Sequence, residues 1–177
     1  VSMPVESDLI AASKEGDKHA FRGLYKLHVG RVYALALRLT GQASMAEEAT
    51  QEVFIQVWKK LGNYRGDSKF STWIHSVASN VTISYLRAQK SFWQNLFNLE
   101  DSGADTKPAE ASADAVDLDS YVSRLPERAR VVFVLHALEG YRHEDIAEMT
   151  GMGVGSSKAQ FHRAKQLMKE WMGYGDE

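Results

Sequence analysis

The sequence predicts an all-α protein made of two small helical domains joined by a flexible linker. Its 177 residues include only three prolines, so long stretches are free to be helical. It lacks the sustained period-2 alternation and the Asn-Gly or Asp-Gly turns that indicate strands and hairpins. Apolar residues instead recur at three- and four-residue spacing, between residues typical of helix ends.

Composition excludes several classes of protein. Hydrophobic residues make up 44% of the chain and charged residues 25%, which is typical of a soluble folded protein. No apolar run approaches the length of a membrane span, and the N-terminus lacks the features of a signal peptide. The absence of cysteine excludes disulfides, zinc fingers and thiol nucleophiles, and it fits a reducing, cytoplasmic location.

The first predicted helix is short, over residues 8–15. Asp17 is a good N-cap for a second helix, because its side-chain oxygen can accept hydrogen bonds from the free backbone amides of the first turn. The inward stripe of this second helix includes Phe21 and Tyr25. Gly41 follows its end, and glycine suits the left-handed position there.

Two further helices complete this first group. Ser44 and Glu47 form a capping-box pattern that opens the third helix, and Gly62 follows its end. After a polar loop, Ser71 or Thr72 caps the fourth. Because all four carry apolar stripes, they can close one small core.

The second half of the chain has a different organisation. Residues 91–120 change character: 91–99 are locally aromatic, whereas 100–115 are rich in Ala, Asp and Ser and lack apolar periodicity, a composition typical of a linker. Pro126 lies in the first turn of the next helix. A short helix over 143–149, a glycine turn over 151–153 and a basic helix from about 154 follow. This order is typical of a helix-turn-helix.

The net charge of −2 hides an uneven distribution. Residues 1–90 carry a net +4, residues 91–125 a net −5 and residues 126–177 a net −1. Two basic stretches, over 59–90 and 158–169, are separated by the acidic one. This layout suggests two anion-facing surfaces on a spacer, although charge alone favours solvated helix faces.

The last helix is the strongest candidate for nucleic-acid binding. Ser156 and Ser157 at its start offer amides and hydroxyls to phosphates. Polar side chains lie largely off its apolar stripe: Lys158, Gln160, His162, Arg163, Lys165 and Lys169. An exposed basic helix is the alternative, but the preceding turn and short helix favour major-groove binding.

A second candidate surface surrounds the fourth helix. Tyr64 and Trp73 lie among basic residues, and aromatic faces beside cations suit stacking on unpaired bases. For Trp73, the pattern alone favours burial in the core. Asn80 and Ser84 lie one turn apart, opposite the apolar stripe, on a face that could read extruded bases.

Nothing in the sequence supports an enzyme. The six histidines form no His-x-x-x-His pair, so no metal site is predicted. There is no phosphate-binding loop, dinucleotide fingerprint or nucleophile elbow, and no cofactor is expected. The acidic edge of the third helix could meet a basic partner, although without further context the pattern favours simple complementation of the helix dipole.

Four segments together resemble the sigma-70 family of RNA polymerase sigma factors, in its extracytoplasmic-function group. The first is Asp8-Leu9-Ile10 with Gly16-Asp17 and Ala20-Phe21. The second runs from Ala46-Glu47-Glu48 to Val53-Phe54, with Trp58. The third is Phe70-Ser71-Thr72-Trp73-Ile74 with Asn80. The fourth is Leu125-Pro126-Glu127-Arg128 with Gly140-Tyr141 and His162-Arg163-Ala164. Their order and spacing cover nearly the whole chain except residues 91–120.

The resemblance implies three sets of contact residues. Core polymerase would bind Glu47, Glu48, Gln51, Glu52, Phe54 and Trp58. The −10 promoter element would contact Lys59, Tyr64, Arg65, Lys69, Trp73, Asn80, Ser84 and Arg87. The −35 element would contact Ser156, Ser157, Lys158, Gln160, Phe161, Arg163 and Lys165.

It also implies the organisation and the partners. Sigma region 2 would cover residues 1–92, a linker 93–121, and sigma region 4 with its helix-turn-helix 122–177. The partners would be core RNA polymerase, promoter DNA and an anti-sigma factor, possibly membrane-tethered, with no small-molecule substrate. The alternatives are a stand-alone helix-turn-helix regulator and a protein–protein adaptor without DNA contact.

The sequence departs from the family at two positions of the helix-turn-helix. Gly153 lies in the turn where Ser or Thr commonly opens the recognition helix, and Gln160 replaces a frequent arginine. Glycine weakens the cap by only a few tenths of a kcal/mol. The aromatic stretch Phe92-Trp93-Phe97 has no assigned role.

Overall fold

The computed structural model describes residues 5–89 and 118–173, and all regular structure in these ranges is helical. Eight α-helices are present there: α1 Glu6–Lys14, α2 Lys18–Thr40, α3 Ala43–Lys60, α4 Phe70–Ala88, α5 Leu118–Arg124, α6 Glu127–Phe133, α7 His143–Thr150 and α8 Val154–Met172. A 3-10 turn, Leu61–Asn63, follows α3, and a π-helical turn, Val134–Leu138, extends α6. The predicted all-α fold class is confirmed.

Several helix ends agree with the side chains predicted to form them. Asp17 Oδ1 accepts hydrogen bonds from the amides of His19 and Ala20, at 2.9 and 3.1 Å, and so caps α2. Gly41 has a φ of +73°, which closes the C-terminus of α2. The start of α3 differs from the prediction, because it begins at Ala43 and Ser44 therefore lies inside its first turn. Shifts of one or two residues are usual at helix ends.

The first compact unit comprises residues 1–37 and 43–82. Its core is formed by aliphatic side chains that are almost completely buried, among them Leu24, Val32, Leu35, Val53, Leu61 and Ile74. Tyr25 differs from its predicted inward position and is 41% exposed. Its ring packs edge-on against Phe54, with 4.8 Å between centroids, so only one side of the ring is covered.

The second compact unit comprises residues 38–42 and 83–177. Its core includes Val122, Leu125, Val132, Leu135, Ile146, Ala164 and Met168. Helix α8 packs against both α6 and α7. Gly151 ends α7 with a φ of +83°, a conformation that favours glycine, and the chain then turns into α8. The helix, glycine turn and helix of the predicted motif are therefore present.

The linker prediction falls largely outside the described residues. Only its last residues are visible, and there α5 begins at Leu118, before the predicted start of the second domain at 122. The Val122 side chain of this helix is buried and belongs to the core of the second unit. The domain boundaries stay predictions, and the Phe92-Trp93-Phe97 stretch also lies outside the described residues.

Among the described helices, none combines the length and the apolar character that a bilayer crossing requires.

Candidate nucleic-acid and protein interfaces

Helix α3 presents an acidic face. The predicted polar contacts Glu47, Glu48, Gln51 and Glu52 are all exposed. Glu52 Oε1 accepts a hydrogen bond of 3.2 Å from Gln56 Nε2 one turn later. The opposite side of the helix is anchored by buried residues, including Ala46, Ala49, Val53 and Val57. Because the apolar side fixes the orientation of α3, its carboxylates are held toward solvent.

An apolar groove of about 410 Å³ lies on the same unit, lined by Lys18, Phe21, Phe54, Ile55, Trp58 and Lys59. The Phe21 and Trp58 rings meet edge-on with 4.9 Å between centroids. Phe54 is buried, with 6% of its surface exposed, so it forms the floor of the groove. Ile55 is 48% exposed. Lys59, predicted to contact the −10 element, is exposed and borders this groove.

The loop before α4 carries an aromatic cluster. The Tyr64 ring lies 5.2 Å from Phe70 and 5.4 Å from Trp73, between centroids. The Tyr64 hydroxyl donates to the Ser68 carbonyl at 2.6 Å, and Lys14 Nζ donates to the Tyr64 carbonyl at 2.6 Å. Trp73 is only half-buried, so part of its ring stays accessible. The structure therefore brings together Tyr64 and Trp73, as stacking would require.

Further polar residues lie around this cluster and along α4. Arg65 and Lys69 are exposed in the loop. Asn80 and Ser84 are exposed at the i, i+4 spacing that places them on one helix face. Asn80 Nδ2 donates to the Ser76 carbonyl at 2.9 Å, so its amide oxygen remains available. Arg87 is exposed, and its Nη1 donates to the Met149 carbonyl at 3.2 Å.

Helix α8 presents a mixed polar surface in which the predicted contacts fall into two groups. Ser156, Lys158 and Lys165 are exposed, and Arg163 is half-buried. Lys165 Nζ lies 4.7 Å from the centroid of the Phe161 ring, a cation–π distance. The N-cap residue Gly153 is extended and supplies no side-chain hydrogen bond, as the departure from the family pattern implies.

Three predicted −35 contacts are buried or partly buried. Ser157 is 0% exposed, and its hydroxyl is hydrogen-bonded to His143 Nδ1 at 2.8 Å. Phe161 is half-buried against Phe133, with 6.0 Å between ring centroids. The Oε1 atom of Gln160 is buried without a hydrogen-bond partner among the described residues. These side chains contact protein because they lie on the side of α8 that packs on its neighbours.

The same helix exposes two residues that the predicted set of DNA contacts omitted. Ala159 and His162 are both exposed. His162 lies four residues after Lys158, so the two share a helix face. That spacing was visible in the sequence, but only the packing of α8 shows which of its polar faces is free. Phe21 and Ile55 were missed in the groove for the same reason, since Phe21 has the periodicity of a core residue.

Two histidines pack beside the first turn of α8. The His136 and His143 rings are stacked, with 4.1 Å between centroids and 20° between planes. Burial lowers the pKa of His143, and the positive charges of His136 and Lys158 lower it further, while Glu144 opposes them. Within the described ranges, no group of histidine, aspartate and glutamate side chains could hold a metal ion.

Comparison with protein families identifies two segments. Residues 24–92 match the model of sigma-70 region 2, and residues 115–168 match that of sigma-70 region 4. The exposed acidic face of α3 and the aromatic cluster fall within the first match. The helix-turn-helix of α7 and α8 falls within the second match, apart from the last residues of α8.

Curated relatives match over nearly the full chain. The RNA polymerase sigma-H factor of Pseudomonas aeruginosa is 27% identical, over 92% of this chain and 91% of its own. The extracytoplasmic-function RNA polymerase sigma factor SigM of Mycobacterium tuberculosis is 29% identical, over 96% and 85%. A solved structure of the sigma factor RpoE of Bartonella quintana, in complex with the anti-sigma factor NepR, is similar with a TM-score of 0.54. It is 22% identical and covers 88% of this chain and 98% of that one, which shows a shared fold.

Proposed function

Because the chain belongs to the sigma-70 family of RNA polymerase sigma factors and is of the extracytoplasmic-function type, we propose that it binds core RNA polymerase and directs it to promoters with −10 and −35 elements. Sigma factors act in transcription initiation. We propose that this chain has no catalytic chemistry of its own and works in the bacterial cytoplasm, where core polymerase and promoter DNA are found.

The exposed polar surface of α8 carries this proposal. Lys158 and His162 lie free on a helix that α6 and α7 hold from the other side. A helix held in this way can enter the major groove. There a lysine can donate hydrogen bonds to guanine, and other side chains can contact the edges of the remaining bases. We assign −35 contact to Ser156, Lys158, Ala159, His162, Arg163 and Lys165. We propose that Ser157, Gln160 and Phe161, on the side of α8 that packs on its neighbours, hold the helix in position.

The aromatic cluster and α4 suit the melted −10 element. Extrusion of a base costs a few kcal/mol, which stacking on an aromatic ring and hydrogen bonds to the base edge can offset. Trp73 offers part of a ring, and Asn80 offers a free amide oxygen on the α4 surface. Arg65 and Lys69 supply positive charge beside them for the phosphates.

The acidic face of α3 suits core polymerase. Glu47, Glu48, Gln51 and Glu52 present carboxylates and an amide to a basic partner surface. The groove between Phe21 and Trp58 lies next to this face and can receive an apolar side chain of the same partner. A central apolar contact with a polar rim is the usual anatomy of a specific interface.

Weak DNA binding by each of the two DNA-contact surfaces is compatible with this function. The net charge of −2 limits the affinity of the free chain for DNA, because phosphate contacts need uncompensated cations. Two DNA contacts on one tether, seated on the polymerase, gain avidity without further contacts. An anti-sigma factor is proposed as the regulator, by analogy with the solved complex of the similar sigma factor.

Run-off transcription with core polymerase tests the proposal directly. The chain should confer initiation from promoters with matching elements, and core polymerase alone should give none. Gel shifts with and without core polymerase separate the alternatives. A stand-alone regulator would bind duplex DNA tightly by itself, and an adaptor would bind no DNA under either condition. Either result would overturn the proposed function.

Replacing Lys158 and Arg163 by alanine should weaken dependence on the −35 element. Loss of a bidentate base contact costs about 1–3 kcal/mol, so holoenzyme affinity for a full promoter should fall roughly tenfold or more. Affinity for a fragment with only the −10 element should not change. Lys169→Ala is the control, since it removes one lysine of the same helix about 16 Å beyond Lys158 and about 9 Å beyond Arg163. Unchanged footprints over the −35 element in the double variant would refute the assignment.

A further inference from the structure

A partly buried hydrogen bond joins the two helices of the helix-turn-helix. His143 is the first residue of α7, and Ser157 lies in the first turn of α8. Their Nδ1 and Oγ atoms are 2.8 Å apart, and the Ser157 side chain has no exposed surface. Loss of the partner of a buried hydroxyl costs free energy, because water cannot take the partner's place. This bond therefore ties the start of α8 to the start of α7.

A second histidine holds the first one in place. His136 stacks on His143, and its Nδ1 lies 2.8 Å from the carbonyl oxygen of Tyr141. Because a carbonyl can only accept, His136 Nδ1 carries a proton and donates. The Phe161 ring meets both imidazoles edge-on, at 4.6 and 5.8 Å between centroids. The orientation of the His143 ring is thus determined on both sides.

The bond acts on the residues that would contact DNA. Ser157 lies between Ser156 and Lys158, both exposed at the start of α8. Since hydrogen bonds depend steeply on distance and angle, the bond limits the shift and rotation of this turn. We propose that His143, supported by His136, is a positioning residue for −35 recognition, acting through Ser157 without touching DNA. This inference rests on the proposed function of α8.

The arrangement also depends on the charge of His143. The groups that face its ring are His136 and Lys158, which disfavour a positive charge, and Glu144, which favours one. Burial is the largest of these effects and acts in the same direction as His136 and Lys158, so the folded state prefers the neutral ring and the pKa of His143 is lowered from its usual value of 6.5. Well above pH 6.5 the His143 ring is neutral in both folded and unfolded chains, so its charge has no effect on the packing there. As the pH falls below 6.5, protonation increasingly opposes this packing.

The test uses holoenzyme, with two promoter fragments that differ only in the presence of the −35 element. The ratio of the two affinities isolates the contribution of α8. His143→Phe keeps a ring for stacking but removes the hydrogen bond, and it should lower the ratio about fivefold at pH 7.5. His143→Asn retains a hydrogen-bonding side chain, so its affinity ratio should stay close to that of wild type. The exposed His19, changed to asparagine, is the control and should behave as wild type.

A pH series separates positioning from simple stability. As the pH is lowered from 7.5 to 5.8, the wild-type ratio should fall more steeply than the ratio of His143→Asn. His136 and His162 are present in both proteins, so their contributions cancel in the comparison. Ser157→Ala removes the same bond from the other side and carries the test if His143→Phe does not fold.

An unchanged ratio in His143→Phe or in Ser157→Ala would overturn the inference, as would identical pH profiles for wild type and His143→Asn. Both results would leave the proposed function intact, provided that run-off transcription still occurs. If the wild-type holoenzyme shows no −35 dependence at all, the assignment of α8 to that element fails first. The two failures are therefore distinguishable in one set of measurements.

Discussion

Changing Glu48 and Glu52 to lysine should prevent assembly of the holoenzyme. Both carboxylates are exposed on α3, and the substitution replaces two negative charges by two positive ones. Against a basic partner surface, attraction becomes like-charge repulsion, which costs several kcal/mol. Affinity for core polymerase should therefore fall by roughly 10- to 1,000-fold, since each 1.4 kcal/mol is tenfold. Fluorescence anisotropy of a labelled chain, titrated with core polymerase, measures this directly.

A matched variant distinguishes the site from the total charge. Asp8→Lys with Glu15→Lys makes the same change of charge at two exposed positions, in α1 and just after it. This control should retain core binding and run-off transcription. The free energy of unfolding should differ little between the two double variants, because surface substitutions usually change it by about 0.5 kcal/mol or less. If Glu48→Lys with Glu52→Lys binds core polymerase like wild type, the docking surface lies elsewhere.

Of the substitutions proposed for this chain, Arg130→Met at a buried position should reduce the free energy of unfolding most. Its guanidinium donates to three backbone carbonyls, those of Leu39, Leu125 and Thr40, at 3.2, 3.1 and 3.0 Å. Two of these oxygens belong to the end of α2, which no further helical turn can satisfy. Methionine fills the space of the aliphatic part of the arginine side chain, but it leaves the three carbonyls without a hydrogen-bond donor. We expect the free energy of unfolding to fall by about 2–5 kcal/mol, as when one partner of a buried polar pair is removed.

The charge state of the guanidinium supports this expectation. Burial lowers the pKa of Arg130, and the nearby Glu127 carboxylate opposes that effect. An arginine nevertheless stays charged at every accessible pH, so it can remain buried only because its hydrogen bonds are made. Arg130→Lys should lie between wild type and methionine, since an ammonium group cannot reproduce the planar fork. Urea denaturation gives the free energies, with the exposed Arg31→Met as control.

Gly41 provides an independent test of the same contact. A Cβ atom at this position would lie 2.9 Å from the Arg130 guanidinium carbon, and the φ of +73° is unfavourable for other residues. Gly41→Ala should therefore destabilise the wild-type chain more than it destabilises Arg130→Met, where part of the clash is relieved. Strictly additive free energies in this double-mutant cycle would contradict the contact.

The general architecture could be predicted from the sequence because it depends on local patterns. Apolar periodicity, Asp17 as a cap and glycines at helix ends determine where helices form, since these interactions involve residues a few positions apart. The same patterns identified the helix-turn-helix, and the order of four motifs identified the family. The sequence also contained Glu47, Glu48, Gln51 and Glu52 as one helix face, and all four are exposed in the structure.

What periodicity could not decide was which polar face of a helix is free and which is packed. Ser157 and Lys158 are adjacent and both polar, yet one is buried against His143 and the other is exposed. Arg130 has the sequence character of a surface residue, but it lies buried against carbonyls about 90 positions earlier in the chain. Burial and hydrogen bonding between distant segments depend on how completed helices pack. Helix-forming patterns act over three or four residues, so only the tertiary structure determined these partners.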